Sequence, residues 1–183
     1  FWATFAATPR EDTCRIMQAI MARDNLFQKS GGIVKAYCWA PLPKGQWLVA
    51  RMPKPYRTFN EQGEELYALV KKNLYGAPPA GRNWSKCRDY NLLFVFNHGA
   101  DQRLKKRIEQ DQVEISERAM SVLNSGACKG WSCWQTEMDP CLFVSISPSK
   151  ARSLVMIHTD DLDAIGEQQK DLDFIFEQIH KIW

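Results

Sequence analysis

The chain has no apolar run long enough to cross a bilayer, so a helical membrane span is excluded and no membrane partner is expected. Residues Phe1 to Thr8 lack the basic region and long apolar core of a signal peptide. There is no initiator Met, and the end at Trp183 falls inside a helical pattern, so a piece of a longer polypeptide is expected. Six cysteines (Cys14, Cys38, Cys87, Cys128, Cys133, Cys141) could pair by count, but nothing else argues for secretion. Reduced, mostly buried thiols are therefore expected. Cys128 and Cys133 are spaced too widely for a Cys-x-x-Cys knuckle, and His98, His158 and His180 are scattered, which argues against zinc. Internal repeats and low-complexity tracts are also missing. Strong charge of one sign is lacking too: a net charge of +3 permits a nucleic-acid partner without demanding one.

What is present is a globular composition, 45% hydrophobic and 25% charged over 183 residues, enough for one domain or a two-lobed piece of something larger. Asp12-Thr13 can cap a helix running through Ile16, Ala19, Ile20 and Met21 towards Asn25, with Ser30-Gly31-Gly32 as its break. Ile33 to Trp39 reads as a buried strand and Gln46 to Met52 as another, ended by Pro53-Lys54-Pro55. Leu66 to Val70 is a short strand-like run. Leu74 to Gly81 reads as a turn, and Arg82 to Phe96 as a helix. The segment from Asp101 to Leu123 is highly charged and reads as a solvated helix or helical insertion. Trp131 to Trp134 and Cys141 to Ile146 are strand candidates. Leu172, Ile175, Phe176, Ile179 and Trp183 share one helical face, which suits packing on a core. Strands and helices alternate irregularly, so the expected class is α+β rather than a doubly wound sheet.

The richest stretch is Ile157-His158-Thr159-Asp160-Asp161-Leu162, which follows the apolar run Leu154 to Ile157. It reads as a buried strand leading to an acidic tight turn. Adjacent carboxylates repel, and a divalent cation between them relieves that repulsion. The plainer alternative is an ordinary hairpin with two solvated carboxylates.

Several motifs line up in order around it. Ala36-Tyr37 precedes Ala40-Pro41-Leu42; Leu74-Tyr75-Gly76 leads to Ala80, Arg82 and Trp84; then come Asp139-Pro140-Cys141-Leu142-Phe143 and His158-Thr159-Asp160-Asp161. This series resembles the reverse transcriptase domain of copia-type retrotransposons, whose motifs run Asp-x-x-x-Ala-Phe/Tyr, Leu-Tyr-Gly-Leu-Lys-Gln-Ala-Pro-Arg-x-Trp, Asp-Pro-Cys-Leu-Phe and Tyr-Val-Asp-Asp. Thr4-Phe5-Ala6 and Arg10 to Arg15 also look like its fingers segment. The resemblance implies a right-hand polymerase fold: a palm of antiparallel sheet backed by helices (about 31–42 and 76–183), fingers pieces (about 1–30 and 43–75) and a charged helical insertion (about 101–125), with no thumb or ribonuclease H.

The implied reaction is RNA-directed DNA synthesis, the addition of deoxynucleotides to a primer 3′-OH on an RNA or DNA template, with Mg2+ or Mn2+ as cofactor. Asp160 and Asp161 match the metal-binding acid pair, and Ile33 would offer a backbone carbonyl to a metal. Tyr37, beside Ala36, matches the aromatic platform under the incoming sugar. Arg10 and Arg15 match fingers positions that hold the triphosphate; surface charge at a helix start is the alternative. Arg82, Pro79 and His158 match template and primer positions. The resemblance further implies an intracellular setting, cytoplasmic or in a virus-like particle, with integrase and ribonuclease H segments flanking the domain in a parent polyprotein.

Four departures stand out. Gly32 occupies the position of the first metal-binding Asp, Pro79 replaces a glutamine, His158 replaces a tyrosine, and the charged insertion runs from about Asp101 to Ser125. Loss of the third carboxylate predicts a weak or dead polymerase. Two other functions compete. One is a non-enzymatic nucleic-acid-binding palm using Arg51, Lys54, Arg57, Lys71, Lys72, Arg82, Lys86 and Arg88 on phosphates, with Trp47 and Tyr56 for stacking. The other is an unrelated phosphohydrolase built on Asp160, Asp161 and Asp163, which would need further ligands.

Overall fold

The structure is a computed structural model and describes residues 6–183; the segment Thr4-Phe5 lies outside the described residues. The first helix, α1 (Glu11–Asp24), starts one residue before the expected Asp12-Thr13 cap. No side chain caps it. Instead Glu11 and Asp12 place negative charge against the free amides of its first turn, and the Arg10 N–H donates to the Asp139 carboxylate at 2.9 Å. It ends at Asn25, which turns left-handed (φ +48°) and donates back to the Met21 carbonyl.

The next segment departs from expectation. Strand β1 is Phe27–Gly32, and Ile33 to Trp39, expected as a buried strand, leaves the sheet and closes into a 3-10 turn at Ala36–Trp39. Two packing facts explain the shift. A Cβ at Gly31 would lie 2.9 Å from the Phe176 ring, so glycine is what lets strand and helix approach there. Lys35, at φ +57°, then turns the chain out of extended conformation.

From Pro41 to Lys72 the chain forms a separate arm. Its ladders are short: β2 (Leu48–Ala50) pairs with β5 (Ala68–Val70), and β3 (Thr58–Phe59) with β4 (Glu65–Leu66). An isolated bridge, Pro41 to Lys72, closes its base. Helix α2 (Ala80–Phe96) follows. The charged segment is two helices rather than one: α3 (Gln102–Gln110), capped by the Asp101 carboxylate, and α4 (Glu117–Asn124), capped by the Ser116 hydroxyl. Nor is it merely solvated. Leu104, Ala119 and Val122 are buried, and α4 packs on α2 and on the last helix, α5 (Gln169–Ile182).

Four more strands complete the main sheet: β6 (Ser132–Gln135), β7 (Leu142–Ile146), β8 (Arg152–His158) and β9 (Asp161–Gly166). The order is β1-β9-β8-β7-β6 with every pairing antiparallel, and the class is α+β, an antiparallel sheet with helices packed on it. The two motif segments Ile33–Tyr37 and Leu154–Ile157, expected side by side in one antiparallel sheet, are not neighbours: β9 lies between β8 and β1, the strand that precedes Ile33, and Ile33–Tyr37 has already left the sheet.

Alternation sets the faces. Ser153, Val155 and Ile157 of β8 point inward with Phe143, Leu162 and Ala164, against Trp84, Leu92 and Phe96 of α2 and Leu172, Ile175 and Ile179 of α5. Burying the Val, Leu, Ile and Phe side chains among them contributes about 1.5–3 kcal/mol each. The other face carries His158, Asp161, Asp163 and Met156; α1 covers its lower end, where the Cys14 thiol meets the Met156 sulfur at 3.5 Å. No helix among the described residues is long and apolar enough to cross a membrane.

Candidate functional site

Thr159 and Asp160 form the two-residue connection between β8 and β9, and Thr159 takes a positive φ of +58°. Such tight connections favour φ above zero. Its strain is offset from beneath. The Thr159 carbonyl accepts hydrogen bonds from the Trp84 indole at 2.7 Å and from an Arg88 guanidinium nitrogen at 3.1 Å. Both donors are almost wholly buried. Arg88 is itself paired with Asp89 at 2.7 Å. Burial pushes the Asp89 carboxyl up, and the adjacent guanidinium pulls it the other way. Gln135 donates to the second Asp89 oxygen at 3.1 Å.

On the other side of the turn, the Ile33 N–H donates to the Asp160 carbonyl at 2.8 Å. That is the contact made by the Ile33 backbone; its side chain is in the core. Gly32 lies opposite Asp161 in the β1–β9 register, and His158 lies opposite Asp161 from β8. Residues 32, 158 and 161 therefore share the open face. A Cβ at Gly32 would sit 3.6 Å from the Asp160 carbonyl oxygen and 3.8 Å from Asp161 Oδ1, both ordinary contacts. Asp160 is half-buried, while Asp161 and His158 are exposed.

Tyr37 and Tyr75 join this neighbourhood. Tyr37 is half-buried, and its ring centroid is 4.7 Å from that of Tyr75. Burial and the charge of Asp160 push the Tyr75 hydroxyl above its ordinary value. Ala36, beside Tyr37, is fully buried. A Cβ at Gly81 would lie 3.9 Å from the Tyr37 hydroxyl, so the start of α2 also reaches this corner.

The remaining predicted residues are placed differently. Pro79 and Arg82 line a cleft of about 390 Å³ with Lys44, Lys86, Asp111 and Glu114, and neither acid of the turn contributes to its wall. Arg15 is exposed and ion-paired with Glu11, one helical turn away, so its guanidinium is already engaged. Arg10 is exposed; its backbone N–H donates to Asp139, and its carbonyl accepts from the Cys14 N–H at the start of α1. Asp139 also accepts from the Cys141 N–H at 2.9 Å. Burial acts to raise its carboxyl, but the Thr13 side chain and the amides of Arg10 and Cys141 outweigh that and hold it below the usual carboxylate range. Asp139 therefore clamps α1 to the sheet. Of the cations proposed for phosphates, Arg51 and Arg57 pair with Glu65, Lys86 with Asp111, and Arg88 with Asp89.

The acid pair does not by itself make a two-cation site. Among the described residues no group of three or more His, Cys, Asp and Glu is arranged to hold a metal ion. Asp163, the nearest further carboxylate on the same face, accepts from Gln28 at 2.9 Å and Ser30 at 2.8 Å. Hard divalent cations need more oxygen ligands than two adjacent carboxylates supply, and glycine at 32 adds none from a side chain.

The roles of three residues were not read from the sequence: Arg88, assigned there to phosphates, is buried under the turn, while Trp84 and Tyr75, named only as motif members, support the Thr159 carbonyl and pack on Tyr37, respectively. The six thiols are free, and four are buried. Burial pushes Cys87, Cys128 and Cys133 to about 12 and Cys141 to about 11, which leaves them protonated and inert. Comparison with protein-family models, with curated proteins and with solved structures gives no match.

Proposed function

We propose that the chain is a reverse-transcriptase-type domain of a retrotransposon polyprotein in which Gly32 has replaced the first metal-binding carboxylate, leaving it a weak or dead polymerase. One observation carries the reading. Position 32 and the Asp160–Asp161 turn, far apart in sequence, meet across β1 and β9, with Gly32 opposite Asp161. Nucleotidyl transfer by two metals needs carboxylates converging from both places. With glycine there the ligand set is incomplete, and no step through a cation follows for this chain.

What its own residues still do is limited. Trp84 and Arg88 hold the turn, Tyr37 and Tyr75 present an aromatic corner beside it, and His158 stands on the open face. An RNA or DNA template with its primer would be the partner, and deoxynucleoside triphosphates the substrate of an intact relative. Integrase and ribonuclease H segments would flank such a domain inside the cell.

The test is Mn2+ titration of the wild-type chain and of Gly32→Asp. The Gly32 backbone lies in a strand and a Cβ there would make only ordinary contacts, so the variant should fold. Binding about tenfold tighter or better in the variant is expected, since one added carboxylate completes the set. Equal affinities overturn the reading, as does primer extension by the wild-type chain at an ordinary polymerase rate. A second reading, a nucleic-acid-binding module without catalysis, is favoured by the exposure of Trp47 (72%) and Tyr56 (68%) on the arm. It is weakened by the four cations already paired.

A further inference from the structure

We propose that Arg118, on the inserted helix α4, is a positioning residue for the Asp160–Asp161 turn. Two separate routes lead from its guanidinium to the two carbonyls of that turn. On the first, Arg118 donates to the Trp183 carbonyl at 3.0 Å; the Trp183 ring meets Trp84 edge-on at 5.3 Å; and the Trp84 indole donates to the Thr159 carbonyl. On the second, the guanidinium lies over the Trp39 ring at 4.7 Å; the Trp39 indole donates to the Val34 carbonyl at 3.0 Å; and the Ile33 N–H, one residue earlier, donates to the Asp160 carbonyl. Moving Arg118 therefore loosens both ends of the turn at once.

The helix itself has no use for this cation. Arg118 is in the first turn of α4, where positive charge opposes the helix dipole. Its planar fork is what the double contact requires: it stacks on an aromatic face while donating in its own plane, which an ammonium cannot do. Lys72, also over Trp39 at 5.4 Å, supplies charge to the same ring but no link to Trp183. The inserted segment is thus a brace for the site, and the coupling holds whatever the turn binds.

Arg118 lies at the surface, so Arg118→Ala opens no core cavity and should fold. Hydrogen exchange followed by NMR reads the proposal directly. The reporters are the Ile33 amide and the Trp84 indole N–H, referenced to the Phe143 and Val155 amides of the β7–β8 ladder. In Arg118→Ala, the two reporters should exchange about tenfold faster relative to the reference amides, the signature of local opening. Arg118→Lys keeps the charge but not the fork and should give about a threefold change. Leu104→Ala, buried on α3 and part of neither route, lowers overall stability and should speed all four sites alike. An unchanged ratio in Arg118→Ala, or a Leu104→Ala ratio that moves equally, overturns the proposal.

Discussion

The acidic turn and the Pro41–Lys72 arm both rest on antiparallel pairings, six residue pairs for the turn and two or three for each ladder of the arm, and they are held by different means. Beneath the turn, two buried side chains donate to a single carbonyl, and a third donor comes from the Ile33 backbone. In the arm not one residue from Pro41 to Lys72 is buried, and Trp47, Val49, Tyr56, Phe59 and Tyr67 are open to solvent. Hairpins of two or three pairs are marginal on their own. The contrast teaches where precision resides. The turn inherits the stability of the core, whereas the arm is tied to the core at its base, by the Asn73 amide on the Pro41 carbonyl, and beyond that rests on its own ladders and on the Glu65 ion pairs with Arg51 and Arg57.

The most severe way to break that contrast is Arg88→Met. It removes a buried donor and leaves Asp89 facing the interior without its partner. Breaking such a pair costs about 3–5 kcal/mol, a loss readable in urea denaturation. Burial already pushes the Asp89 carboxyl up, and loss of Arg88 removes the opposing pull. The double variant Arg88→Met, Asp89→Asn should therefore recover more than about 1 kcal/mol of the loss. No recovery would mean that the damage lies at Thr159 rather than at the stranded carboxylate.

A smaller effect is expected at the clamp on α1. Asp139→Asn weakens the bonds from the Arg10 and Cys141 amides, at a cost of about 2 kcal/mol near neutral pH. The sign with pH is definite. The folded carboxyl is held below its ordinary value, so its contribution is present above the unfolded pKa of about 4 and is lost as pH falls through the depressed folded value. Wild type and variant should converge in acid. A constant difference between them down to pH 2 would contradict the assignment.

Much of the sheet and the three long helices, α1, α2 and α5, were legible because their signal is periodic. The strands at Cys141–Ile146 and Leu154–Ile157 and the apolar face of the last helix all appear at or near the expected places. Strand β1 was illegible, since Ser30-Gly31-Gly32 has the composition of a break. Only the approach of Phe176 and the pairing with β9 explain its extended form, and neither is local. Helices α3 and α4 carried readable caps in Asp101 and Ser116, but their charge hid the buried Leu104 and Val122. At the site, the acid pair and position 32 were readable from motif order. The supports were not, because a buried Arg beside an Asp has the same spelling as a solvated pair.

The least effect is expected in the arm, and it sharpens the contrast from the other side. Val49 and Leu69 face each other across β2 and β5, yet both are more than half accessible or nearly so, at 58% and 50%. Truncating Leu69 to Ala removes little buried area, so global stability should fall by no more than about 0.5 kcal/mol. The arm's own opening should respond more. It has few apolar contacts, and its backbone bonds stand near solvent, the conditions for sub-global opening at low free energy. Limited trypsin digestion should therefore cut first within the arm, after Lys44, Arg51 or Arg57, while the sheet and α5 remain intact. Leu69→Ala should hasten that first cut several-fold with almost no shift in the urea midpoint. If Leu69→Ala instead costs as much as a core truncation, about 2–5 kcal/mol, the arm is covered in solution by something that its exposed surface does not reveal.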